Sequence, residues 1–347
     1  MRPSEWDVAR LREHLKGAVE LELLTIPPYL TALYSLHPGS NETAALVIRS
    51  VVVEEMLHLT LAANVLNAVG GAPEITNLKR VPRYPSQLPF HKPPTFEVGL
   101  LPFGDTALDT FLAIENPTHP NVAPPPPGEE ATVPRVTELA EEEGYETIGA
   151  FYKAIEEALR ALDRKGGLFS GPRSRQITPE YYYASGGEVI VVEDLASAMT
   201  ALEVVVEQGE GEVDKPGPEE KFDPEHDLAH FYRFKELRMG RRYEQDDQPD
   251  VPTGPAIDID LEAVYPMKPN LKTADLGGEL KGAAEAFNRT WSTLLREVQD
   301  GIDGRPAALG PAVARMFRLR DAAELLLAVP LPDGSGENAG PTFEYRA

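Results

Sequence analysis

From Leu11 the chain sets Leu15, Ala18, Glu22, Ile26, Tyr29 and Leu33 on one side of a helix. From Ile48 it does so again with Val51, Glu55, His58, Ala62, Val65 and Val69. Alternating steps of three and four residues make the inward seam of a bundle helix. They predict helices over 4–36, with Ser4 as N-cap, and over 42–69, stopped by Gly70-Gly71. Pro27 and Pro28 inside the first predict a kink. The turn His37-Pro38-Gly39-Ser40 is short enough to make the two antiparallel neighbours.

Further helices are predicted over 146–163, with Ile148, Phe151, Ile155 and Leu162 inward, and over 194–208, 224–240, 278–301 and 306–328. Between them the pattern breaks. Residues 72–145 are rich in proline, with a strand-like Thr95–Leu100 and the run Pro124–Pro127. A second irregular stretch holds Tyr181-Tyr182-Tyr183, read as packing, and a strand-like Glu188–Val192. An acidic, proline-rich linker covers 244–260, and the tail is expected to be ordered at Phe343. The fold class is mainly α: a four-helix bundle core with irregular or β-hairpin insertions and extra C-terminal helices. One domain over 1–347 is expected, with its core in 4–70 and 194–240, insertions at 71–145 and 165–192, and C-terminal helices in 278–328.

Composition changes this picture in two ways. A formal charge of −23, from 33 basic and 56 acidic residues, repels nucleic acid and anionic membranes. With no cysteine, thiolate metal sites, disulfides and a cysteine nucleophile are excluded. No apolar leader opens the sequence and no run reaches spanning length, so a cytoplasmic location is expected.

The chemistry lies in the seams. A carboxylate in an apolar seam is costly unless it is paired, protonated or bound to metal. Glu55-Met56-Leu57-His58 puts acid and imidazole on adjacent turns of one face. About one Glu-x-x-His is expected by chance in such a composition, so its position, not its string, raises it. Glu22 on the first helix faces it, whereas Glu20 groups with Glu13 and Lys16 on a polar stripe. A Glu opposite Glu-x-x-His is half of a carboxylate-bridged dimetal site. For the other half, Asp227-Leu228-Ala229-His230 offers Asp227 and His230, with His226 as a rival. Glu207 is favoured as the remaining carboxylate over Glu203 and Glu156, while Glu210 and Glu212 read as a solvated turn. Tyr29 is the candidate to hydrogen-bond the centre. The bland alternative is a buried polar network, or a solvated face with one core histidine.

Several segments together resemble the ferritin-like domain of the iminophenyl-pyruvate dimer synthase family. They are Glu20–Leu30, Glu54–Leu59, Tyr84–Pro89, Thr147–Tyr152, Glu207–Gly211, Leu228–Phe234 and Ala339–Glu344, spread over nearly the whole chain. The resemblance implies a ferritin-like bundle and a non-haem iron centre. It also implies a link to bisindole pigment biosynthesis, where larger relatives couple two imines of indolepyruvate oxidatively. In this chain the last pair is Asp-x-x-His rather than Glu-x-x-His.

The expected ligands are Glu22, Glu55, His58, Glu207, Asp227 and His230, holding one or two iron ions, with manganese also suited to such donors. The expected function is metal-dependent oxidation, with O₂, of a small amino- or imino-acid-derived metabolite. Oligomerisation is left open. Two other classes compete: an iron-handling protein of ferritin type, and a metal-free binding or scaffold bundle.

Overall fold

The computed structural model describes residues 6–91, 96–117, 144–183, 185–212, 215 and 217–347. Ser4, Thr95 and the run Pro124–Pro127 lie outside these residues.

Helix α1 (Val8–Ser35) starts at Asp7, whose side chain accepts from the Arg10 N–H. Helix α2 is Glu42–Ala68. The Arg12 guanidinium donates to the Val69 carbonyl, tying the start of α1 to the end of α2 and fixing them as antiparallel. Pro27 and Pro28 lie within α1, which continues through both. The Leu24 carbonyl, deprived of its helical donor at Pro28, accepts instead from the buried Tyr84 hydroxyl at 2.9 Å.

Among the described residues of 72–145, the chain holds more regular structure than its sequence suggests. It contains α3 (Asp105–Ile114), and its expected hairpin shrinks to a single antiparallel bridge between Ser86 and Val98. Helix α4 (Ile148–Asp163) is capped by the Thr147 hydroxyl, and α5 (Leu195–Glu210) by an Asp194/Ser197 capping box. Helix α6 is His230–Met239, and α7 (Gly278–Ile302) and α8 (Leu309–Leu327) form a C-terminal hairpin. Among the described residues no helix is long and apolar enough to cross a membrane.

Helix α1 packs against α2 and α4, and α5 packs against α2 and α4, closing a four-helix core. The expected core used 224–240 as its fourth wall; α4 takes that place, and the shorter α6 packs on α3, α2 and α5. Helix α6 starts late because the chain turns first. Asp223 Oδ1 accepts from the Glu225 and Asp227 amides, and Phe222 and Leu228 bridge across the turn.

Buried asparagines fasten the loops to the core. Asn64 donates to the Ile177 and Ile190 carbonyls and accepts from the Ile177 amide. Asn67 donates to the Arg175 and Ile302 carbonyls, joining the 165–192 loop to α7. In the tail, Phe343 packs on Phe287 and Trp291.

Candidate metal centre

Four of the sequence-predicted residues converge in the middle of the bundle. Glu22 from α1, Glu55 and His58 from α2, and His230 at the first turn of α6 are all buried. One atom each from Glu55, His58 and His230 lies within 4.8 Å of the others, close enough to share an ion. Glu55 is central: its Oε1 is 3.0 Å from His230 Nδ1 and 3.7 Å from His58 Nδ1. Glu22 Oε2 is 3.6 Å from His58 Nδ1.

Two expected ligands stay outside. Asp227 is exposed on the turn that precedes α6, so the anticipated Asp-x-x-His face does not form. Glu207 is half-buried on another side of α5, among Glu203, Glu212 and Asp223, and its carboxyl is pushed up to about 7 by burial and those charges. Of its rivals, Glu203 is exposed, Glu156 pairs with Arg160, and His226 is exposed on the turn. Glu20 pairs with Arg80, as its polar stripe suggested.

Two carboxylates that the seam pattern does not single out, Glu115 and Glu210, line the central space instead. Glu115, the C-cap of α3, puts Oε2 3.7 Å from His230 Nδ1. Glu210, read as part of a solvated turn, is the buried last residue of α5, and the Gly149 amide at the start of α4 donates to it at 2.7 Å. An acid after a short helix in a proline-rich stretch carries little signal. Yet Leu108 and Phe111 precede Glu115 at seven and four residues, the spacing that marked Glu55. For Glu210, no comparable signal exists.

The hydroxyls nearby all point at carboxylates. Tyr152 donates to Glu22 Oε1, Thr25 to Glu55 Oε2 at 2.6 Å, and Tyr29 to Glu115 Oε1 at 2.5 Å. Tyr29 therefore reaches the centre through Glu115. Its ring packs edge-on against Phe111 and tilted against Phe234, joining α1, α3 and α6.

Both histidines are held from outside through Nε2. His58 Nε2 donates to Gln208 Oε1 at 2.9 Å, and Gln208 is fixed by donating to the Gly186 carbonyl. His230 Nε2 donates to Glu54 Oε2 at 2.8 Å, and Glu54 Oε1 accepts from Arg233 at 2.8 Å. Each ring thus turns Nδ1 towards the carboxylates. His230 Nδ1 is fully buried and aligned with no hydrogen-bond partner, despite Glu55 at 3.0 Å. A buried ring nitrogen turned to two carboxylates without the alignment of a hydrogen bond, its other nitrogen anchored, has the placement a metal-ligating histidine would need. Nitrogen and carboxylate donors of this kind suit iron or manganese, so these residues fit such an ion.

Burial and mutual proximity shift the charge states of these groups. Burial pushes the Glu22 carboxyl up to about 7, against its bond from Tyr152. Burial and the charge of Glu115 push Glu55 up as well. Burial moves His58 downward. Burial would lower His230 as well, but the carboxylates of Glu115, Glu54 and Glu55 around it drive it upward. Burial would also raise Glu54, but His230 and Arg233 pull it down to about 2, so it stays ionised.

The space between these groups is a cavity of about 20 Å³, lined by Glu22, Thr25, Glu55, His58, Glu115 and Glu210, with apolar walls that include Ile148 and Val206. That volume takes about one water-sized sphere. Ile148 and Val206 are the half-buried walls, so solvent is nearest on their side.

A family model described as Ferritin-like matches residues 15–239, a span that contains every residue of the centre. The chain is 27% identical over 337 residues to dichlorochromopyrrolate synthase of Lentzea aerocolonigenes, covering 85% of this chain and 29% of that protein. The chain therefore spans less than a third of that relative's length. The crystal structure of a ferritin-like protein from Caulobacter vibrioides matches with a TM-score of 0.60 at 24% identity, covering 92% of this chain and 95% of that one. That is a likeness of fold.

Proposed function

The chain belongs to the ferritin-like family, and from that premise we propose that its pocket is a non-haem iron centre of an oxidoreductase acting on a small amino- or imino-acid-derived metabolite. Glu55 would be shared between two metal positions, one beside Glu22 and His58 and the other beside Glu115 and His230. The observation that carries this reading is the pair of buried histidines, each anchored through Nε2 with Nδ1 turned to Glu55. When bound, iron supplies the electrons that O₂ needs in order to react.

The chain's own residues account for the rest. Tyr152, Thr25 and Tyr29 orient the carboxylates, and Leu21, Ile148, Val205 and Val206 wall the cavity from bulk water. A cavity of about 20 Å³ admits O₂ or water but no organic substrate, which would bind beyond Ile148 and Val206. The similarity to dichlorochromopyrrolate synthase supports a place in small-molecule biosynthesis.

The test is metal content by mass spectrometry of iron-reconstituted wild type beside Glu55→Ala and His58→Ala. We expect one to two ions per chain in wild type and a loss of at least tenfold in each variant. Less than about a tenth of an ion in wild type would overturn the metal reading, and equal loading of all three proteins would overturn the ligand assignment.

A further inference from the structure

The two histidines are anchored by chemically different partners. His58 leans on Gln208, a neutral amide held by a backbone carbonyl. His230 leans on Glu54, a carboxylate held by Arg233, which also donates to the Leu228 carbonyl and to Ser50. An anionic acceptor on the outer N–H makes an imidazole a stronger metal donor than a neutral acceptor does. The inner atoms differ in the same sense. Glu55 Oε1 lies 3.0 Å from His230 Nδ1 but 3.7 Å from His58 Nδ1. Polarity and proximity thus both favour the His230 side.

We propose that the centre is unequal by construction: the metal position beside His230 and Glu115 is the tighter one and fills first, and Glu54 is the positioning residue that sets this order. The inference rests on the metal reading above. Arg233 has a defined part in it, since it balances the Glu54 charge and leaves the carboxylate bound at both oxygens. On the other side, Gln208 holds the His58 ring without adding charge.

The experiment titrates metal-free full-length protein with Mn(II), following free Mn(II) by electron paramagnetic resonance. Wild type should bind in two classes of unequal affinity. Glu54→Gln keeps the size of the side chain and removes the charge. It should weaken the tighter class by about 10- to 100-fold and leave the weaker class in place. Gln208→Glu should strengthen the weaker class and draw the two together. Far-ultraviolet circular dichroism confirms that each variant is folded, and the two variants predict opposite shifts, so a general loss of structure cannot imitate the result. A single class in wild type, or a Glu54→Gln curve that superimposes on wild type, overturns the inference while the metal centre stands. No Mn(II) or iron bound by wild type overturns the metal reading itself.

Discussion

Tyr152 donates its hydroxyl to Glu22, and both side chains are buried. A hydrogen bond to an ionised group contributes roughly 1.5–3 kcal/mol, and the group left behind bears the loss. The Glu22 carboxyl is raised by burial to about 7, so it is ionised at pH 8 and protonated at pH 5.5. Tyr152→Phe should therefore lower stability by about 1.5–3 kcal/mol at pH 8 and by less at pH 5.5. Urea midpoints of the metal-free protein at the two pH values would show this, and equal losses at both would contradict it. At this scale the sequence was legible where a polar residue interrupts an apolar seam. Glu22, Glu55 and His58 stand out because apolar residues flank them at three and four residues: Ala18, Val19 and Ile26 for Glu22, Val51, Val52 and Leu59 for Glu55, and Leu61 and Ala62 for His58. Glu210 was not legible, because what buries it is the start of α4, far away in sequence.

Helix α3 is short and lies in a stretch that looks like loop, yet it carries Glu115 to the centre. Phe111 holds it there, packed edge-on to Tyr29 at 4.6 Å and against Phe234 at 5.0 Å. Phe111→Ala should cost about 3–5 kcal/mol by opening a cavity at the junction of α1, α3 and α6. It should also reduce metal content, because Glu115 loses its support. Urea unfolding together with metal analysis of one preparation checks both, and full stability would show that α3 is not fixed by this contact. Helices α1 and α2 could be read from periodicity because each is long and packs one face on the core. Helix α6 was over-extended in the reading because the seam of Asp227 and His230 suits a helix, while the Asp223 side chain makes a turn of the same residues. Local hydrogen bonding decided against the pattern there.

For the whole molecule, the centre couples stability to pH. Glu22 and Glu55 are raised above the ordinary carboxylate value, so the folded metal-free protein keeps protons that the unfolded chain has released. Their contribution is fully present below about 4.5 and is lost as pH rises through about 7. His230, also raised, extends the loss above 6.5. His58 is lowered and opposes it only below 6.5. The melting temperature of metal-free protein should therefore fall between pH 6.5 and 8. Mn(II), which needs the ligands deprotonated, should flatten or reverse that slope. Melting curves with chelator and with Mn(II) test the sign, and a rise with pH in chelator would refute it. The overall architecture was legible in outline, as a helical core with insertions, but the fourth wall was misassigned. Seam periodicity shows that a helix has an inner face, not which neighbours meet that face, and only the packing of α4 between α1 and α5 settles it. The smallness of the central cavity has a kinetic meaning. A chelator is far larger than one water-sized sphere, so it could not grasp an ion held there. Release of such an ion would wait for the helices to part, and its pace would follow the breathing of the bundle, however much chelator surrounds it.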